Sequence, residues 1–90
     1  MAIITKTTVN FAKRHNLDVT IENFGEVDQI CVWEANNDCE WMFSYTINAN
    51  GSFNWYGNVY LAQDIKEELP ATINDEKHLR AVLKFIAENI

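Results

Sequence analysis

The fold is decided by residues 40–58, which read EWMFSYTINANGSFNWYGN. Apolar and polar residues alternate through the first half of this stretch, which is typical of a strand with one buried face. The alternation predicts a core face that carries Trp41, Phe43, Tyr45 and Ile47. The opposite face would carry Glu40, Met42, Ser44 and Thr46.

The turn that follows defines the register of a hairpin. A three-residue loop at residues 49–51, with Gly51 in the left-handed conformation, sets Ile47 opposite Phe53. A two-residue Asn-Gly turn would instead set Asn48 opposite Phe53 and mix polar with apolar side chains on one face. We therefore predict the three-residue loop and a hairpin whose two apolar faces coincide.

Two further strands are predicted before this hairpin. Residues 18–23 alternate between polar and apolar, and residues 29–35 are rich in apolar and β-branched side chains. The turn between the second and third strands, at residues 36–38, does not define a register. Pairing Trp33 with Trp41 there would also set two glutamates opposite each other, so this register stays open.

Helices are predicted on either side of the strands. The β-branched residues within residues 3–9 favour a strand, but a short helix over roughly residues 5–15 is preferred, because basic residues followed by Asn16 are typical of a helix end with a left-handed cap. Residues 58–69 are predicted to form another short helix that Pro70 closes, or residues 58–62 extend the fourth strand. The inward side chains of this second helix would be Ala62, Ile65 and Leu69.

The last segment predicts a longer amphipathic helix. Asn74 is the candidate N-cap, and Asp75 with Glu76 suits the positive end of the helix dipole. The apolar stripe consists of Leu79, Val82, Leu83, Ile86 and Ile90. The whole chain thus predicts a single α+β domain over residues 1–90, in two layers. An antiparallel sheet of three or four strands would carry a short N-terminal helix and one or two C-terminal helices on one face, leaving the other face open.

Charge is distributed unevenly along the 90-residue chain, which has seven Lys and Arg against thirteen Asp and Glu. No Lys or Arg occurs between Arg14 and Lys66, whereas eight acidic residues do. The net charge of −6 argues against direct binding to nucleic acid or to an anionic membrane and favours a basic protein partner. The candidate partner-binding residues are Asp18, Glu22, Glu26, Asp28, Glu34, Asp38, Glu40 and Asp64.

We expect six of these acids to gather on the open sheet face. Asp18 and Glu22 lie two alternate strand positions apart, and Glu40 would lie across the sheet from them. The acids that loops would add to this face are Glu26, Asp28 and Asp38. The predicted result is a fixed anionic surface that imitates the phosphates of a nucleic acid.

The sequence lacks the patterns that indicate enzymatic, metal or cofactor chemistry. His15 and His78 lie near predicted helix ends and outside any known catalytic motif. Cys31 and Cys39 lack the short ligand spacing of a zinc finger, so we expect reduced thiols and no metal site. No phosphate loop, dinucleotide fingerprint or calcium loop is present, and we expect neither a cofactor nor an enzymatic activity. The absence of a long apolar run predicts a soluble cytoplasmic protein.

This layout resembles small phage-encoded inhibitors of bacterial defence, the DNA-mimic anti-restriction and anti-CRISPR proteins. The resemblance rests on the length of the chain and on the cation-free acidic stretch from Asp18 to Asp64, which follows a short N-terminal helix. It implies a non-enzymatic inhibitor that occupies the DNA- or RNA-binding surface of a bacterial nuclease or of a restriction or CRISPR factor. A two-fold dimer would extend the imitation. The candidate aromatic anchors are Trp33, Tyr56 and Tyr60.

Two other functions remain open from the sequence. An immunity or antitoxin protein would block one basic toxin away from its nucleic-acid groove. A small ligand-binding module would stack Trp33, Trp41 and Trp55 on a sugar or another flat ligand.

Overall fold

The computed structural model describes residues 4–23, 25, 27–36 and 39–90. In chain order its elements are α1 (Lys6–Arg14), β1 (Leu17–Asn23), β2 (Asp28–Glu34), β3 (Phe43–Ile47), β4 (Phe53–Asn58), α2 (Gln63–Lys66), β5 (Thr72–Ile73) and α3 (Glu76–Asn89). The strands form one antiparallel sheet in the order β1-β2-β3-β4-β5. The α+β prediction is confirmed, with five strands where the sequence predicts three or four.

The hairpin of β3 and β4 has the register that the sequence predicts. Ile47 pairs with Phe53 and Tyr45 pairs with Trp55, while Gly51 adopts a positive φ of 87°. The loop is closed by a hydrogen bond from the Asn48 backbone amide to the Ser52 carbonyl oxygen, at 2.9 Å. A β-bulge then interrupts the pairing beyond Tyr45, because Ser44 pairs with Gly57.

The start of β3 corrects the sequence prediction. The strand begins at Phe43, and its register to β2 sets Val32 opposite Phe43. Met42 is buried in the core next to Phe43, although alternation predicts it on the polar face. Its carbonyl oxygen accepts hydrogen bonds from the backbone amides of Val59 and Tyr60, which bends the chain out of regular strand geometry. Period-two alternation therefore does not hold here.

The core lies between one face of the sheet and the helices α1 and α3. We call this sheet face the inner face. Its buried side chains are Leu17, Val19, Ile30, Val32, Phe43, Tyr45, Phe53 and Ile73. From the helices, the buried side chains are Ala12, Leu79, Val82, Leu83 and Ile86. Trp55 completes the inner face by stacking on Phe43 at 5.9 Å and by meeting Tyr45 edge-on at 5.4 Å between ring centroids.

The helices match the predicted pattern, with differences at their ends. α1 ends before Asn16, which has the predicted left-handed conformation, with φ of 61°. The N-cap of α3 is Asp75 and not Asn74, because the Asp75 carboxylate accepts a hydrogen bond from the His78 backbone amide at 2.8 Å. Ile90 is exposed rather than part of the apolar stripe, since α3 ends one residue earlier. Within the described part of the chain, no helix is long and apolar enough to cross a membrane.

The segment between β4 and α3 is less helical than predicted. α2 has only four residues, and Ala62 is exposed while Leu61 is buried. The chain then pairs with β4 as β5, a strand that the sequence analysis missed. The Tyr45 hydroxyl donates a hydrogen bond to the Pro70 carbonyl oxygen at 2.6 Å and so ties this segment to the core. Burial raises the pKa of Tyr45 to about 12, so the hydroxyl remains a donor at neutral pH.

One carboxylate joins the N-termini of α1 and α3. Glu76 Oε1 accepts hydrogen bonds from the Thr5 amide at 3.1 Å, the Thr5 hydroxyl at 2.8 Å and the Thr8 hydroxyl at 2.7 Å. Arg80 also donates to the Thr8 hydroxyl, at 3.0 Å. Burial acts to raise the pKa of Glu76, but the bonds from Thr8 and Thr5, together with the charge of Arg80, outweigh it and lower the pKa below its ordinary value.

Candidate functional site

The sheet has a second face, which points away from α1 and α3. Strand periodicity and register place on it every second residue of each strand. We call this the outer face. It carries Asp18, Thr20, Glu22, Gln29, Cys31, Trp33, Ser44, Thr46, Asn54, Gly57 and Thr72.

The positive charges of the chain are all on its helices. α1 carries Lys6, Lys13 and Arg14, α2 carries Lys66, and α3 carries Lys77, Arg80 and Lys84. None of the five strands contains a lysine or an arginine. Two of these cations contact aromatic rings of the helix side of the molecule: Arg14 lies 5.8 Å from the Phe11 ring and Lys66 lies 5.9 Å from the Trp55 ring. The fold therefore separates its cations from the outer face.

Two of the predicted acids belong to the outer face, and a third lies in a connection. Asp18 and Glu22 are on β1, an edge strand of the sheet, and Glu40 is exposed in the connection that leads into β3. The Asp18 carboxylate accepts a hydrogen bond from the backbone amide of Val19 at 3.0 Å. Glu22 lies opposite Gln29 in the next strand.

Three other predicted acids lie elsewhere. Asp28 begins β2 rather than lying in a loop, and register places it on the inner side with Ile30, where it accepts a hydrogen bond from the Asn23 side chain at 2.7 Å. Glu34 lies on the same side of β2 as Asp28 and accepts a hydrogen bond from the Tyr60 hydroxyl at 3.0 Å. Asp64 is exposed on α2. The expectation that Asp28 joins the outer-face acids from a loop is wrong, because a two-residue period sends it to the opposite face, and the same period sends the candidate Glu34 there.

The remaining two predicted acids, Glu26 and Asp38, lie outside the described residues. The turn at residues 36–38, whose register the sequence leaves open, is described only at Asn36. The pairing of Val32 with Phe43 nevertheless defines how β2 and β3 are aligned, and it differs from a pairing of Trp33 with Trp41.

The sequence predicts that the outer face is open. In the structure, two tryptophans cover its centre. Trp33 donates from its indole nitrogen to the Thr20 hydroxyl at 2.8 Å, and Trp41 meets the Trp33 ring edge-on at 5.7 Å between centroids. Among the outer-face residues, Gln29, Cys31 and Ser44 are buried. Burial, reinforced by the charge of Glu22, raises the pKa of the Cys31 thiol to about 12. This cysteine is therefore a neutral, unreactive packing residue.

A pocket of about 300 Å³ lies on the outer face beside these tryptophans. Trp41 and Tyr56 border it, and the sheet residues Gln29, Ser44 and Gly57 form its floor. Asn58 and Val59 complete the lining. The Asn58 amide group is held by Leu61, to which it donates at 2.9 Å and from which it accepts at 2.7 Å, so this side of the pocket is braced.

Sequence reasoning missed this pocket for two identifiable reasons. Alternation assigns Trp41 to the core, whereas the irregular start of β3 turns it to the outer side. The bulge inserts Tyr56 as an extra residue between Trp55, which pairs with Tyr45, and Gly57, which pairs with Ser44. A glycine inside a strand, here Gly57, is the sequence signal for such a bulge. Of the three predicted aromatic anchors, Trp33 and Tyr56 are on the outer side, while Tyr60 packs against the core.

The residues that could form a metal or nucleophilic site lie on different elements of the fold. His15 caps the end of α1 and contacts the Phe11 ring, and the Nδ1 atom of His78 accepts a hydrogen bond from the Asn74 backbone amide. Cys31 is buried in the outer face and Cys39 is exposed. Within residues 4–23, 25, 27–36 and 39–90, no group of three or more His, Cys, Asp or Glu is arranged to hold a metal ion.

Comparisons with known proteins were made at the levels of family, sequence and structure. No protein-family model, no curated protein and no solved structure matches this chain.

Proposed function

We propose that this protein is a non-enzymatic inhibitor that binds through its outer face to the basic, nucleic-acid-binding surface of a partner protein. The partner would be a bacterial nuclease or a restriction or CRISPR factor, and binding would exclude its nucleic acid. The proposed place of action is the cytoplasm, where such a partner meets its DNA or RNA.

The separation of charge is the observation that carries this proposal. All seven cations are on helices, whereas the strands that form the outer face carry acids and no cation. A surface of one charge sign attracts a surface of the opposite sign and repels one of its own sign. A groove that holds phosphates is the natural complement of Asp18, Glu22 and Glu40.

The proposed interface combines these acids with exposed aromatic surface. Tyr56 is 63% exposed, and Trp33 and Trp41 are partly exposed beside it. Interfaces are typically stabilised by a few buried aromatic anchors inside a polar rim. In this arrangement the aromatic side chains supply contact area, and the carboxylates select a basic partner.

The number of acids on this face limits the mechanism. A sheet face about 17–20 Å long would match a stretch of duplex DNA with about ten phosphates. Only Asp18 and Glu22 are placed on this face by the register among the described predicted acids, and Glu40 is exposed in the connection that leads into β3. We therefore propose that the acids and aromatic rings of this face fill only part of the partner's groove. Imitating a longer stretch of DNA would require the two-fold dimer, which stays a prediction.

A competition assay tests this function directly. Purified restriction endonucleases and CRISPR effector nucleases are loaded with a fluorescent DNA duplex, and displacement of the duplex by this protein is measured by anisotropy. We expect displacement from at least one nuclease, and we expect it to weaken as salt rises. The test variant combines Asp18→Asn, Glu22→Gln and Glu40→Gln.

The matched control variant combines Glu67→Gln, Glu68→Gln and Glu88→Gln. It removes the same three charges from exposed positions on the helix side of the chain. Displacement that survives in the control and is lost in the outer-face variant supports the proposal. Equal behaviour of the two variants, or no displacement by the wild-type protein, contradicts it. Binding without displacement of DNA would instead support an immunity-type protein that acts away from the groove.

A further inference from the structure

We infer that the pocket between Trp41 and Tyr56 binds the guanidinium group of an arginine side chain that the basic partner inserts. This inference rests on the proposed function and specifies how the outer face recognises its partner. The pocket has a volume of about 300 Å³, which accommodates one long side chain.

The lining of the pocket matches a planar cation. Trp41 and Tyr56 contribute aromatic rings to the lining, and a guanidinium group stacks on such rings better than an ammonium group does. The floor adds the Gln29 amide and the Ser44 hydroxyl, whose residues are 3% and 2% exposed. Neither side chain makes a hydrogen bond to a residue that the structure describes. Because a fully buried polar atom without a partner does not occur among the described residues, the polar atoms of these two side chains must keep some exposed surface. Both residues line the pocket, so this exposed surface faces the pocket. Their oxygen atoms are acceptors for the N–H donors of arginine.

Charge selects arginine over other flat ligands. Glu22 lies directly opposite the floor residue Gln29 in the neighbouring strand, so an acid of the outer face is next to the pocket. A nucleotide could stack on the same rings, but its phosphate would face Asp18 and Glu22 with no lysine or arginine on any strand to balance it. A neutral sugar would gain nothing from the acidic surroundings.

Gly57 gives the pocket its depth and provides a selective variant. Nothing lies within 4 Å of the position that a Cβ atom at Gly57 would occupy, and its backbone does not have the left-handed conformation. The side chain of a valine there would project from the floor into the pocket from an unobstructed Cβ position, on a strand that favours β-branched residues. We expect Gly57→Val to block the pocket and leave the fold intact.

The probes are three Gly-Ser peptides that differ at one central residue, which is arginine, lysine or citrulline. Citrulline keeps the planar shape of arginine and lacks its charge. Binding is followed by tryptophan fluorescence and by the NMR shifts of the Gln29 and Ser44 amides. We expect the arginine peptide to bind more tightly than the other two. Tyr56→Ala should weaken it by about 2- to 30-fold, and Tyr56→Phe should retain it.

The variants also separate this inference from the proposed function. Asn54→Val is the control for Gly57→Val, because it adds the same side chain to the outer face of β4 outside the pocket. Arginine binding that is lost in Gly57→Val and kept in Asn54→Val supports the inference. It is overturned if citrulline, lysine or a neutral disaccharide binds as tightly as arginine, or if Gly57→Val leaves arginine binding unchanged. If Gly57→Val displaces DNA like the wild type while the outer-face acid variant does not, the pocket assignment fails and the proposed function stands.

Discussion

The two faces of the sheet use aromatic residues in opposite ways. On the inner face, Phe43, Tyr45 and Trp55 pack against one another beneath two helices, and the result is a closed core. On the outer face, Trp33 and Trp41 come from the sheet and its connections and cover only its centre. Among the described residues, the face that is covered by its own side chains carries the mostly exposed ring of Tyr56 and a pocket beside it, whereas the rings of Phe43 and Tyr45 on the helix-covered face are buried. The binding surface that we propose therefore lies on the side without helices.

The largest difference between the faces should appear when a ring is removed from each. Phe43 is fully buried, so Phe43→Ala should lower the free energy of unfolding by about 3–5 kcal/mol. Tyr56 is mostly exposed, and Tyr56→Ala should change the free energy of unfolding by only about 0.5 kcal/mol or less. Urea denaturation followed by circular dichroism measures both values.

Partner binding should show the reverse order for variants that still fold. Phe43→Leu keeps most of the buried volume and should bind like the wild type, whereas Tyr56→Ala should bind more weakly. If Tyr56→Ala costs as much stability as Phe43→Ala, the outer rings belong to the core, and the contrast between the two faces disappears.

A smaller effect concerns the helix layer that closes the inner face. Glu76→Gln removes the charge that accepts hydrogen bonds from Thr5 and Thr8, and at neutral pH it should cost on the order of 1 kcal/mol after solvent screening. Because the pKa of Glu76 is lowered in the folded state, its contribution is present above the ordinary value of 4.5 and is lost as the pH falls through the folded-state pKa. The wild type and the variant should therefore converge in acid.

Denaturation curves at neutral pH and at successive acidic pH values measure this convergence. The control is Glu88→Gln, which removes a charge from an exposed position near the other end of α3. A stability difference for Glu76→Gln that stays constant down to the lowest pH would show that the carboxylate has no role in joining the two helices.

The inner face could be predicted well from the sequence, because regular alternation determines it. The loop at residues 49–51 admits only one register that keeps Ile47 opposite Phe53, and the structure has that register. β5 could not be predicted, since two residues without a distinct pattern become a strand only when Tyr45 and Trp55 bond to the chain around Pro70. The short α2 has the same cause, because its segment follows tertiary contacts rather than helical periodicity.

The outer face was harder to predict because its features arise where the regular pattern fails. Periodicity identifies Asp18 and Glu22 as neighbours on one face, and the register agrees. Counting all acids in a stretch of sequence, however, ignores which face of the sheet each strand residue lies on. It therefore wrongly adds Asp28 and Glu34 to the outer-face acids. The pocket depends on the irregular start of β3 and on the bulge in β4, and neither has a periodic signal in the sequence.

The smallest predicted effect tests whether a specific hydrogen bond, or packing alone, holds the two tryptophans that cover the outer face. If the hydrogen bond from Trp33 to Thr20 holds the indole ring, Trp33→Phe and Thr20→Val should couple by about 0.5–1.5 kcal/mol in a double-mutant cycle. Trp33→Phe with Thr46→Val is the control cycle, because Thr46 is an outer-face threonine on a different strand, and it should show no coupling. Coupling confined to the first pair would mean that Trp33 positions Trp41, and through it the pocket, from a fixed point on the edge strand. Equal coupling in both cycles would mean that the two tryptophans are held by packing alone, in which case the outer face would resemble the inner one more than the structure indicates.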